Sequence, residues 1–188
     1  MIHLVRHGRT EANAGGRLQG RLDLPIDELG RTQAAALVAA LPRVDRVISS
    51  PSLRACQTAE VLGVELEMDE RWLEMDYGEF DGLVMADLPR DLFRQWMTDP
   101  DFAPPGGESL RMLADRVHAA CDELLQSASD QEIVVVTHAT PIKAAMAWAL
   151  GVDVGIVWRS FVDQASITSV MVRDRGPALA SFNVVPLR

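Results

Sequence analysis

Ile133-Val134-Val135-Val136-Thr137-His138 is the stretch that decides how this chain is read. It is β-branched from Ile133 to Thr137 with no polar alternation, the pattern of a strand covered on both faces. Such a strand needs helices above and below it, which implies an α/β fold: a three-layer α/β/α sandwich around a mostly parallel sheet. The run ends in a histidine. So does the first strand, Ile2 to Val5, which leads into Arg6-His7-Gly8. Ligands of open α/β sheets bind at the carboxyl ends of strands, so His7 and His138 are candidates to face each other across one site.

Working outward, strands and helices alternate. Asp27 can cap a helix from Glu28 to about Leu41, which Pro42 would stop. Arg46–Ser49 reads as a strand, and Ser50-Pro51 as the N-cap and first residue of a helix running to Leu62 and stopping at Gly63. Val64–Met68 is a further strand candidate. Residues 80–107, rich in proline and ending in Pro104-Pro105-Gly106-Gly107, read as a short cap excursion over the site, helical around Ala86–Met97. A long helix is expected from Glu108, another from Thr140-Pro141 to Gly151, and a closing hairpin from 166–173 and 179–185 around Asp174–Pro177. The 188 residues carry no repeat or interdomain linker, so a single domain over 1–188 is expected.

Composition narrows the function. The net charge of −9 argues against a nucleic-acid partner, although residues 1–54 are locally basic. No apolar run approaches the ~18 residues of a membrane span, and Met1 leads straight into a strand, so the expected location is cytoplasmic with no membrane partner. Cys56 and Cys121 are expected on helices as reduced, buried thiols. His3 is expected to pack beside the sheet and His118 on the long helix.

An arginine beside a histidine suits a multiply charged anion, because the guanidinium clamps oxygens while the imidazole attacks the central atom. Gly8 is expected to let the backbone turn sharply and let a ligand approach the main chain.

With Ser50-Pro51-Ser52-Leu53-Arg54-Ala55-Cys56-Gln57-Thr58-Ala59 and Leu73-Glu74-Met75-Asp76-Tyr77-Gly78 following in order, the chain resembles the histidine phosphatase superfamily, also called phosphoglycerate-mutase-like. The resemblance implies that His7 is a nucleophile that becomes phosphohistidine. It implies that Arg6 and Arg54 bind the phosphate, that His138 completes the pocket, and that Asn13, Gln19 and Gly20 line it. Glu74 matches the family's proton donor, with Asp76 and Glu79 as alternatives on the same loop. Where the family commonly has His-Gly, this chain has His138-Ala139, whose backbone N–H still serves as a phosphate donor. The run Thr137–Lys143 is similar to a variant in bacterial small-molecule phosphatases, α-ribazole phosphatases among them.

The expected activity is therefore hydrolysis of a small phosphate monoester, with no cofactor and no metal. Two alternatives stand beside it: a phosphoglycerate mutase and a catalytically silent binding protein. The short cap, with Arg90 and Arg94 not adjacent, weighs against the mutase, and the complete catalytic set against the silent protein. Leaving-group selection is expected from Trp72, Met85, Arg90, Arg94, Trp96 and Phe102, with Arg17 and Arg21 at the mouth. The final hairpin could support a homodimer.

Overall fold

The computed structural model describes residues 1–41 and 43–187; the expected helix stop at Pro42 lies outside the described residues. The order is β1 (Ile2–Arg6), α1 (Glu11–Ala14), α2 (Glu28–Ala40), β2 (Arg46–Ser49), α3 (Leu53–Ala59), β3 (Leu66–Met68), α4 (Arg90–Thr98), α5 (Leu110–Leu125), β4 (Ile133–Thr137), α6 (Ala139–Leu150), β5 (Ile167–Arg173) and β6 (Gly176–Val184). These strands form one sheet in the order β3-β2-β4-β1-β5-β6. The four from β3 to β1 run parallel, and β5 and β6 add an antiparallel margin.

Every residue of β4 is buried, as its composition demands. Ile133 and Val135 face a core that includes Leu113 and Val117 of α5 and Ile142 of α6. Val134 and Val136 face the opposite core, with Leu37 of α2 and Ala55 and Ala59 of α3. Burying each such aliphatic side chain is worth about 1.5–3 kcal/mol, so β4 holds both helical layers to the sheet. Its register sets Arg6 opposite Thr137 on one side and Ser49 opposite Val136 on the other. The chain segments leaving β1, β4 and β2 therefore emerge side by side.

Several boundaries differ from expectation for local reasons. Helix α3 begins at Leu53 after Ser52, not at Pro51; Asp23 rather than Ser50 accepts the Leu53 N–H, at 2.7 Å. It ends at Ala59 in a 3₁₀ turn, Glu60–Leu62, closed by left-handed Gly63. Helix α4 starts at Arg90 because Pro89 holds Leu88 extended. Helix α5 is capped by Ser109 and α6 starts at Ala139, while β3 is confined to Leu66–Met68. Strand β6 starts at Gly176, so the hairpin turn is only Asp174-Arg175. Pro177 is tolerated because β6 is an edge strand with no neighbour for the missing N–H. Helix α1 was not anticipated; it is held by a reciprocal cap between Thr10 and Asn13. Cys121 is buried, but Cys56 is only half-buried, and both are free thiols. No helix of the described residues is long and apolar enough to cross a membrane.

Candidate active site

His7 and His138 do face each other. Their ring centroids are 5.1 Å apart with planes at 62°. Both are nearly inaccessible, at 3% and 0% exposure, which decides their charge. Burial, reinforced by the Arg54 and Arg6 guanidinium groups, pushes the His7 pKa well below its ordinary value. Burial and Arg54 do the same to His138. Both rings are neutral near pH 7.

The hydrogen bonds fix which nitrogen carries each proton. His7 Nδ1–H donates to the Gly8 carbonyl at 2.7 Å, so the lone pair is on Nε2, which has no protein partner among the described residues. Arg54 Nε–H donates to His138 Nδ1 at 3.2 Å, so His138 carries its proton on Nε2 and donates it to Ser50 Oγ at 2.8 Å. Ser50 is thus a member of the site that the sequence reading took for a helix cap. Its Oγ accepts from His138 and, more weakly, from the Ser52 backbone N–H at 3.4 Å, ahead of the first residue of α3.

Arg54 is fully buried and four of its five N–H bonds are committed: one to His138, one to the Leu22 carbonyl, and two to the carbonyls of Gln19 and Gly20. One Nη1 hydrogen remains for a ligand. The loop it holds is gripped from the other side by Asp81, whose carboxylate accepts from the backbone N–H groups of Gly20, Arg21 and Leu22. Arg6 donates through Nη1 to the Val162 carbonyl at 2.5 Å, and its Nε has no partner. Burial lowers the pKa of both arginines from their ordinary value.

Glu74 is 6% exposed and lies at the α6 N-terminus. Its two oxygens accept from Met75 N at 2.8 Å and Thr140 N at 3.4 Å. Its loop is pinned by Arg116 of α5, which donates to the carbonyls of Arg71, Leu73 and Glu74 and makes two hydrogen bonds, one to each oxygen, to the buried carboxylate of Glu108. The alternatives are spent elsewhere. Asp76 accepts from Arg21 and from Gly78 N, and Glu79 is exposed. Ala139, one residue after His138, offers the first free N–H of α6, where partial positive charge favours an anion.

Other expectations are relocated. Gly8 has no positive φ; a Cβ there would meet the Gly30 carbonyl at 2.5 Å, so the glycine serves close packing of the His7 loop on α2 rather than a ligand. Asn13 is half-buried, with its side-chain oxygen on Thr10 N. Gln19 is buried, accepting from Thr10 Oγ1 at 2.6 Å and donating to the Leu22 carbonyl. A Cβ on Gly20 would meet the Met75 carbonyl at 2.4 Å, so Gly20 brings the Arg54-binding loop against the Glu74 loop. Trp72 is not a cap residue but core, at 0% exposure. Arg90 and Arg94 are exposed. Arg17 bonds the Gly82 carbonyl, and Arg21 pairs with Asp76. His3 sits between Ser169 and Glu132, and His118 meets the Ala144 carbonyl.

A cavity of about 230 Å³ opens beside Arg6, Ala139 and Thr140. Its walls include Trp96 and Trp158, packed edge to face at 5.4 Å, and Tyr77, 5.7 Å from Trp96. Among the described residues, no group of three or more His, Cys, Asp or Glu side chains is placed to hold a metal ion.

Comparison with known proteins shows the family. The sequence profile of the "Histidine phosphatase superfamily (branch 1)" matches residues 2–185. The chain is similar to "Phosphoserine phosphatase 1" of Hydrogenobacter thermophilus, 34% identical over 96% of this chain and 90% of that one. It is similar to "Glucosyl-3-phosphoglycerate phosphatase" of Mycolicibacterium vanbaalenii, 34% identical over 80% of this chain and 74% of that one. Among solved structures it is similar to a mutant phosphoserine phosphatase from Entamoeba histolytica in complex with phosphoserine. That match has a TM-score of 0.89 and 26% identity, over 97% of this chain and 95% of the other. These relatives carry phosphoserine and glucosyl-3-phosphoglycerate phosphatase names, not that of the α-ribazole branch.

Proposed function

This chain belongs to the histidine phosphatase superfamily, and from that premise we propose that it hydrolyses small phosphate monoesters through a phosphohistidine on His7. Phosphoric monoester hydrolysis is the activity its relatives are named for. The observation that carries the assignment of His7 is its fixed tautomer: a neutral ring, Nδ1–H tied to Gly8, and Nε2 free beside two guanidinium groups.

In the first step Nε2 attacks phosphorus and the P–O bond to the leaving group breaks. The Glu74 carboxyl gives that oxygen its proton. Arg6, the remaining Nη1 hydrogen of Arg54 and the Ala139 N–H take the charge of the non-bridging oxygens; donors of this kind are worth about 3–4 kcal/mol each in the transition state. In the second step Glu74, now a carboxylate, takes a proton from water as the water oxygen attacks phosphorus and the P–N bond breaks. His138 keeps the Arg54 guanidinium oriented, and Asn13, Gln19 and Gly20 support the phosphate loop. The unit doing this is read as the whole of 1–188, in the cytoplasm, with neither nucleic acid nor membrane as partner. A homodimer through the β5–β6 hairpin, by its edge or its face, is the proposal for assembly.

The mutase reading gains nothing from the fold, since Arg94 is exposed and its ion pair is with Asp91 at 4.0 Å. The test is a rapid quench with labelled phosphoserine. Acid-labile, base-stable label is expected on the wild type and none on His7→Ala, with turnover surviving chelation and stopped by vanadate, which imitates five-coordinate phosphorus. Label on a serine or cysteine, or an active His7→Ala, overturns the assignment.

A further inference from the structure

We propose that Lys143 is a specificity-determining residue, and that its ammonium binds a carboxylate on the leaving group inside the aromatic cavity. The inference rests on the phosphatase reading and extends it from the phosphate to the rest of the substrate. Lys143 is the only lysine in the chain; the other 17 of its 18 basic residues are arginine. It is half-buried, lines the cavity beside Arg6, and has no carboxylate partner among the described residues. Its Nζ donates to the Val157 carbonyl at 3.0 Å, which leaves two of its three protons uncommitted. A cation half-withdrawn from water and held in no ion pair is costly: burial lowers its pKa, the nearby Glu74 carboxylate offsets part of that shift, and Arg6 adds to it. An anionic ligand would relieve that cost.

Position gives the ligand its shape. Lys143 follows Ala139 by four residues on α6, so the two share a face about one turn apart, ~5–6 Å. An ester whose phosphate lies at the α6 N-terminus would extend its leaving group along this face toward the Lys143 ammonium. The same cavity is lined by Tyr77, Trp96 and Trp158, with Phe161 largely exposed. The connecting body is therefore apolar. At about 230 Å³ the space is below the ~300–1,000 Å³ of pockets for drug-sized ligands, so that body is small. One lysine also sets the charge. A carboxylate matches it, whereas a second phosphate would bring an uncompensated charge against apolar walls.

The experiment compares kcat/KM for three esters: 4-(2-carboxyethyl)phenyl phosphate, its carboxamide, and the analogue with phosphate in place of carboxylate. The saturated spacer keeps the leaving oxygen equally basic in all three, so the comparison reads binding of the distal group. The wild type is expected to favour the carboxylate over the amide about 10- to 100-fold, the worth of one hydrogen bond to a charged group. Lys143→Met should erase that ratio, Lys143→Gln should do the same with a polar side chain, and Lys143→Arg should keep most of it. An unchanged ratio in Lys143→Met, or a wild type that prefers the amide or the bisphosphate, overturns the role of Lys143. Failure of the wild type to hydrolyse any of the three overturns the phosphatase reading instead.

Discussion

Glu74→Gln separates chemistry from structure at this site. The carboxylate accepts two backbone hydrogen bonds, at 2.8 and 3.4 Å. The amide keeps an oxygen for one and loses the other, at a cost of about 0.5–1.5 kcal/mol, which thermal melting would show as a fall of a few degrees. What it cannot do is donate a carboxyl proton. General acid catalysis contributes about 10²–10⁴-fold, equivalent to ~2.7–5.5 kcal/mol, so the chemical loss exceeds the structural one. It also depends on substrate. A nitrophenolate departs without help, whereas the alkoxide of phosphoserine does not. Steady-state kcat/KM should fall at least ~10²-fold with phosphoserine and less than ~10-fold with nitrophenyl phosphate. Asp76→Asn and Glu79→Gln, on the same loop but turned to Arg21 and to solvent, should show no such split. Equal losses on both substrates in Glu74→Gln would refute proton donation, and a split in Asp76→Asn alone would move the role to Asp76.

Four further outcomes are expected. Because burial and Arg54 depress the His7 pKa, the ring stays neutral as pH falls through 6.5, and an NMR titration should place its midpoint below that value; a midpoint at or above 6.5 contradicts the site. With His138 likewise depressed, the unfolded chain binds protons that the folded one does not. Stability is therefore highest above pH 6.5 and falls below it by up to ~2.7 kcal/mol per pH unit, measurable as urea midpoints. Ser50→Ala leaves the His138 Nε2–H without its acceptor at about 1–3 kcal/mol, and should lower both melting temperature and kcat/KM; no change in either refutes the Ser50 role. Arg116→Met removes both side-chain hydrogen bonds of the buried Glu108 carboxylate and leaves it the Asp76 N–H and a longer pair with Arg21, costing ~3–5 kcal/mol or roughly 6–20 °C in Tm; a shift under 2 °C would show that Arg116 does not hold the Glu74 loop.

The parts legible in the sequence are those with local cause. The β-branched run of β4 announces a doubly covered strand, and Arg6-His7 and His138 announce the strand ends. What escaped depends on partners far along the chain. Arg116 meets carbonyls 42 to 45 residues away, which no periodicity on α5 reveals. Ser50 looks like a helix cap until His138, 88 residues later, claims its hydroxyl. Gly8 reads as a turn because its true neighbour, Gly30, lies on another element. Lys143 lies in the Thr137–Lys143 run, yet its distinction depends on cavity walls that six other segments of the chain supply.

The sheet order also governs when, during synthesis, an active molecule first exists. Strand β1 is made first, yet its two neighbours are β4 and β5, made from residue 133 onward. At ~5–20 residues per second, the nucleophile and its strand wait many seconds on the ribosome with no sheet to join. His7 cannot meet His138 until most of the chain has emerged. A chain that stops before β4 is consequently inert toward metabolites, and enzymatic activity reports that synthesis has passed His138.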